Sequence, residues 1–206
     1  MLFRPVLVIA AALSLSACVG LSLNTQERPF GKALDDFNAQ TELNARLLGE
    51  SPSLYANVNT TIIEGRVHLS GTVPTSEQRL TASRLAWETP HVVEVVNDIE
   101  VTEDTGLIDV ARDRWISTQV RTRILTDGAI RDVNYTIDTQ NRVVYVLGIA
   151  QSQSELDRVL AHARSVPEAR RVVNYALLKD DPRRSFEPPG HYEDDTTTPP
   201  PEPVQN

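Results

Sequence analysis

The chain has 206 residues and a formal net charge of −8, with 28 acidic against 20 basic residues. That balance argues against nucleic acid as a partner, because phosphate-backbone binding needs an excess of Lys and Arg. A single cysteine, Cys18, excludes an internal disulfide.

The first segment reads as an export signal. Arg4 carries the one early positive charge, and Val6 to Leu15 form an apolar run too short to span a bilayer. Leu15-Ser16-Ala17-Cys18 resembles the lipobox of bacterial lipoproteins, in which the cysteine is acylated on sulfur and the preceding peptide is removed. Residues 1–17 are therefore expected to be a signal peptide and Cys18 the lipidated, palmitate-bearing first residue. Losing Arg4 and no acid takes the net charge from −8 to −9. The resemblance further implies sorting to the outer membrane, facing the periplasm, because Val19 stands where an inner-membrane retention Asp is common. Residues 18–35 read as a tether between lipid and fold.

The middle of the chain is a repeat. A shift of 77 residues lays Gly71 on Gly148, Thr41 on Thr118, Arg46 on Arg123, Pro90 on Pro167 and Val95-Val96-Asn97 on Val172-Val173-Asn174, without a gap. Each copy predicts helix, strand, strand, helix, strand. Leu43, Leu47 and Leu48 recur at helical spacing until Gly49-Glu50-Ser51-Pro52 stops the pattern, and Ile116, Val120, Ile124 and Leu125 do the same before Asp127-Gly128. Val58, Thr60 and Ile62, then Val67 and Leu69, alternate around the turn Glu64-Gly65-Arg66. The matching hairpin uses Val133, Tyr135, Ile137, Val144 and Val146 around Gln140-Asn141-Arg142. Ser and Thr residues at Thr75-Ser76 and Ser152 to Ser154 are placed to cap a second helix, and a β-branched run, His91 to Val101 or Arg170 to Leu178, predicts a third strand.

Two helices on one face of three strands make a two-layer α+β sandwich, expected over residues 36–103 and again over 109–179. A unit of roughly sixty to seventy residues buries too little surface for more than marginal stability, so the copies are expected to pack together or stay close. Residues 180–206 hold seven acids against Arg183 and Arg184, with Pro188-Pro189 and Pro199-Pro200-Pro201, and read as a disordered acidic, proline-rich tail.

The order αββαβ, the segments Val67 to Gly71 and Val144 to Gly148, and the repeated Val-Val-Asn resemble the BON-domain family. Two such domains behind a lipobox are similar to the dual BON-domain outer-membrane lipoproteins of the DolP type. The segment Arg112-Asp113-Arg114-Trp115-Ile116-Ser117-Thr118-Gln119-Val120-Arg121 carries the strongest likeness. The resemblance implies binding of anionic phospholipid at the membrane surface and support of envelope integrity, with no enzymatic activity and no cofactor.

The residues of that segment lead the same way. Trp115 sits about 100° round the helix from Ile116, at the edge of the apolar stripe, where it is reachable. Arg112, Arg114, Arg121 and Arg123 surround it against Asp113, whereas the first copy holds Asp35, Asp36 and Glu42 against Arg46. An indole at a bilayer boundary with arginines beside it suits anionic headgroups. The competing expectation is that Trp115 packs on its own sheet and the arginines form a solvated face. Trp87 is expected in the core or between domains. The acid pairs Asp35-Asp36, Asp180-Asp181 and Asp194-Asp195 are expected in or near flexible segments, where a rigid catalytic pair is not built. His68, His91, His162 and His191 lack metal-ligand spacing, and nucleophile-elbow, zinc-protease and phosphate-loop motifs are absent, which leaves no small-molecule substrate implied. Two other functions fit the pattern: an interaction module for an outer-membrane assembly machine or peptidoglycan, and an osmotic-stress BON protein, against which Cys18 argues.

Overall fold

A computed structural model describes residues 29–102 and 107–185. The expected signal peptide, the expected lipidation site Cys18 and the part of the expected tail beyond residue 185 lie outside the described residues.

Helix α1 spans Phe30–Glu50 and buries Asp36, Ala39, Leu43 and Leu47 along one face. It begins inside the stretch read as a tether. At its end the backbone of Ser51 turns extended, and the Ser51 hydroxyl accepts from the Leu54 amide to start a short helix α2, Pro52–Asn57, with Pro52 in the first turn. That element was not expected, although Ser followed by Pro is an ordinary helix opening. Strands β1 (Val58–Ile63) and β2 (Arg66–Val73) pair antiparallel, from Val58 opposite Gly71 to Ile63 opposite Arg66. Helix α3 (Ser76–Trp87) is capped by the Thr75 hydroxyl, which accepts from Gln78 N at 3.2 Å. Strands β3 (Glu94–Asn97) and β4 (Glu100–Val101) then run parallel to β2, leaving β2 central.

The second copy repeats this path. Helix α4 is Leu107–Thr126, a 3-10 turn at Asp132–Asn134 replaces α2 and takes Val133 out of the strand in which it was expected, and β5 (Tyr135–Gln140) pairs with β6 (Val143–Ala150). Helix α5 (Gln153–Arg164), capped by Ser152, and β7 (Arg171–Asn174) with β8 (Leu177–Leu178) complete it. Each copy is thus the expected αββαβ sandwich, with its helices on one face of its sheet.

The third strand is split in both copies, and the repeated asparagine accounts for the break. Asn97 Oδ1 accepts from Ile99 N at 3.1 Å, and Asn174 Oδ1 accepts from Ala176 N at 3.0 Å. This local bond replaces a ladder partner and kinks the strand. The repeated glycine is equally physical. Gly71 has φ 118° and Gly148 φ 142°, and a Cβ on either would lie 2.1 Å from the carbonyl oxygen of Asn57 or Asn134. No side chain fits there.

A carboxylate joins the first helix to the hairpin in each copy. Asp36 is buried and accepts from Glu64 N at 2.8 Å and Gly65 N at 2.9 Å; Asp113, 77 residues on, accepts from Asn141 N and Arg142 N, both at 2.7 Å. The turn residues adopt positive φ in both hairpins, so their amides project together toward the helix. The expectation that Asp36 lies in or near a flexible segment is therefore wrong: helix α1 extends past it and the hairpin turn needs its charge.

The two sheets pack back to back. Val67, Leu69 and Val73 of β2 face the helices of the first domain, while His68, Ser70 and Thr72 face the second. Likewise Val144, Val146 and Ala150 line the second core, and Tyr145, Leu147 and Ile149 join Ile63 and Leu177 in a cluster between the sheets. Gln140 donates to Thr72 at 2.9 Å, Tyr175 donates to Asp98 at 2.8 Å, and the Ser70 hydroxyl donates to Asp138. The result is four layers, with helices outermost on both sides. Residues 181–185, inside the stretch read as tail, take part: Arg184 pairs with the buried Glu64 at 2.7 Å and Lys32 donates to the Arg184 carbonyl.

Replacing Asp36 or Asp113 by Ala strands two turn amides and should cost about 2–3 kcal/mol of unfolding free energy. Urea denaturation of each variant checks this; a change below about 0.5 kcal/mol, typical of surface substitutions, would contradict the pinning role.

Candidate functional site

Helix α4 carries the strongest candidate surface. Ile116, Val120 and Ile124 are buried on its sheet-facing side. Trp115 lies about 140° from Val120 and roughly opposite Ile124 around the helix, so it points away from the sheet. Its side chain is 44 % exposed and belongs to none of the apolar clusters. The competing expectation, that Trp115 packs on its own sheet, is not what the helix adopts.

The surrounding charges differ in how much of each is left for a ligand. Arg112 is bound by Glu168 at 2.7 Å and Asp109 at 3.1 Å, which largely offsets its charge. Arg121 is exposed and donates one N–H to the Ile137 carbonyl, and Arg123 donates to the Ser165 hydroxyl. Among the described residues, the exposed Arg114 guanidinium makes no hydrogen bond or ion pair. Asp113, the acid expected to oppose these cations, is turned inward to the hairpin amides. Burial raises its carboxyl above the usual range, against the lowering effect of the two amide bonds. The outward surface of the segment is therefore more basic than its composition suggests.

Other expected positions fall elsewhere. Trp87 is 55 % exposed, neither in the core nor between domains. Ala82, Leu85 and Ala86 occupy the sheet-facing side of α3, which leaves Trp87 on the outward side with Leu80. His68 is buried between the sheets, with its ring 4.7 Å from Tyr145 and its Nε2 3.2 Å from Asp98. Burial pushes it below its ordinary value, even though Asp138 and Asp98 pull the other way. His162 pairs with Asp127 at 2.8 Å. Among the described residues no group of three His, Cys, Asp or Glu could hold a metal, and no helix is long and apolar enough to cross a membrane.

One surface escaped the sequence reading. Phe30, Leu34 and Phe37 are exposed and lie within an arc of about 60° on α1, opposite its buried face. Their i, i+4, i+7 spacing is visible in the sequence, although residues 30–35 fall in the stretch that reads as a tether.

Comparison with known proteins agrees with the repeat. A family model for the BON domain matches residues 35–103 and 112–179. The chain is 39 % identical over 147 residues to the "uncharacterized protein in gshII 5'region" of Anaplasma centrale, covering 71 % of this chain and 96 % of that one. It is 30 % identical over 146 residues to the outer membrane lipoprotein DolP of Haemophilus influenzae, covering 70 % and 76 %. With the 21 kDa hemolysin of Actinobacillus pleuropneumoniae it shares 27 % identity over 122 residues, covering 58 % and 63 %. A duplicated αββαβ unit with matching pins, glycines and strand breaks, found by the family model in both copies, places this chain in the BON-domain family as a two-domain member of the DolP type.

Proposed function

We propose that the chain is a lipid-anchored protein of the outer membrane, facing the periplasm, whose second BON domain binds anionic phospholipid and supports envelope integrity without catalysis. One observation carries this reading: Trp115 points outward from α4 beside the exposed Arg114 and Arg121, while the neighbouring Asp113 is withdrawn into the hairpin. An indole suits the headgroup boundary, and each nearby cation adds about 1 kcal/mol at an anionic surface. Arg112 contributes less, because Glu168 and Asp109 already bind it. These contributions are small singly. Acylation at Cys18 would keep the domain beside the bilayer and raise its effective concentration there. The likeness to an outer membrane lipoprotein supports that location.

A second reading, a protein-interaction module for an envelope assembly machine or peptidoglycan, is favoured by the Phe30, Leu34 and Phe37 crest. With the sheets back to back, α1 and α4 belong to opposite outer layers, so that crest stays free when Trp115 is docked.

Vesicle co-sedimentation of the unacylated chain, residues 19–206, separates the two. Binding is expected with vesicles containing phosphatidylglycerol and not with phosphatidylcholine alone, to weaken as salt rises, and to fall about fivefold or more in Trp115→Ala and in Arg114→Gln. Equal, negligible pelleting with both lipids would remove the lipid reading. Labelled palmitate fed to cells making the chain should enter it and fail to enter Cys18→Ala; equal labelling of both would remove the anchor.

A further inference from the structure

A recess of about 730 Å³ opens between the two domains. Its volume lies in the range of small-molecule sites, roughly 300–1,000 Å³, but its walls are mainly polar and suit a hydrophilic group. Helix α4 lines it with Arg114 and Arg121, β5 with Asp138 and Gln140, and the first domain with Asn59 and Thr72.

The commitments of these groups show what the recess lacks. Asp138 already accepts from the Ser70 hydroxyl and from Thr139 N, and Gln140 donates to Thr72. Asp113, also on the wall, is bound by two hairpin amides. Arg121 spends one of its five N–H groups on a carbonyl, and Arg114 keeps its guanidinium for a ligand. The donors left over are the two guanidinium groups and the neutral Asn59 amide, and the acids are already supplied with hydrogen-bond donors. That pattern fits an oxyanion such as a phosphate. Arg114 and Arg121 are one helical repeat of seven apart, about 10 Å along the axis and 20° round it, so both flexible guanidinium groups can converge on one anion. Trp115 follows Arg114 directly, so a lipid whose glycerol and acyl region rests on the indole would carry its phosphate to the mouth of this recess.

We infer that the interdomain cleft is the phosphate headgroup site of the lipid on which α4 docks, with Arg114 and Arg121 binding the phosphate and Asn59 supplying a first-domain wall. This rests on the lipid-surface reading above and adds a part for the first domain: the site is incomplete without it. A phosphate could arrive on a lipid headgroup or free in solution, and the test separates the two.

The experiment uses residues 19–206, which retain every described residue. Asn59→Glu places a negative charge on the first-domain wall, at an exposed position on an edge strand, and is expected to weaken binding to phosphatidylglycerol-containing vesicles about fivefold or more. Leu80→Glu adds the same charge to the same domain at an exposed position outside the cleft, and should leave binding within about twofold. If Asn59→Glu binds like the parent, or Leu80→Glu weakens binding as much, the cleft assignment fails. A loss in Trp115→Ala would then still support the surface reading, so the two failures are distinguishable. In an NMR titration, glycerophosphoglycerol should shift the amides of residues 57–59 and 114–121 together, more strongly than inorganic phosphate does. Shifts confined to α4, or equal shifts with inorganic phosphate, would overturn the headgroup assignment.

Discussion

The contact between the backs of the two sheets is the constraint on which the rest depends. A lone αββαβ sandwich covers one face of its sheet with helices and leaves the other to water. Here each sheet covers the other, so every helix is driven to the outside and α4 presents its outer side to solvent. The interface follows the pseudo-twofold expected of a duplicated unit. His68 and Tyr145 hold equivalent positions and meet ring to ring; Asp98 and Tyr175 are equivalent and share a hydrogen bond. Away from that centre the halves have diverged. Thr72 meets Gln140 through a hydrogen bond on one side, and their equivalents, Ile149 and Ile63, share an apolar cluster on the other. Duplication supplied the geometry, and divergence left one half of the seam polar. The cleft opens on that polar half, between β5 and the first domain.

The features preserved between the copies are those that backbone geometry demands. Asp36 and Asp113 satisfy turn amides, Gly71 and Gly148 admit a carbonyl where no Cβ fits, and Asn97 and Asn174 kink the last strand. None of these touches solvent chemistry. Besides the seam, the copies differ on their outer helices. Arg112, Arg114 and Trp115 stand where α1 has Asp35, Phe37 and Asn38, so the same fold offers a basic, indole-bearing surface on one side and an apolar crest on the other.

Much of the architecture was legible in the residues because repetition doubles every local signal. The helix faces, the hairpins apart from Val133, the caps at Thr75 and Ser152 and the two-copy arrangement follow from spacing alone. The misses have separate physical causes. Helix α1 starts before the apolar face begins, because its first turns expose their apolar residues and show no buried periodicity. Asp36 looked like a solvated acid because its partners are amides of a turn nearly thirty residues away, which composition cannot register. Trp87, expected in the core or between domains, faces outward because the small side chains of Ala82 and Ala86 take the sheet contact. The cleft was invisible for a stronger reason: its walls come from both copies and exist only once the sheets have met. Trp115 and its arginines were readable as a segment. That Arg112 is tied to Glu168 while Arg114 is not depends on a loop after α5.

The outward placement of Trp115 is the point at which fold becomes function, and it can be observed directly. The chain has two tryptophans, so Trp87→Phe leaves Trp115 as the sole indole reporter. On adding vesicles with anionic lipid, its fluorescence should shift to the blue and be quenched by lipids brominated near the top of their acyl chains. An emission maximum and intensity that stay unchanged while the chain pellets with the vesicles would show that some other surface meets the bilayer, and would contradict the account.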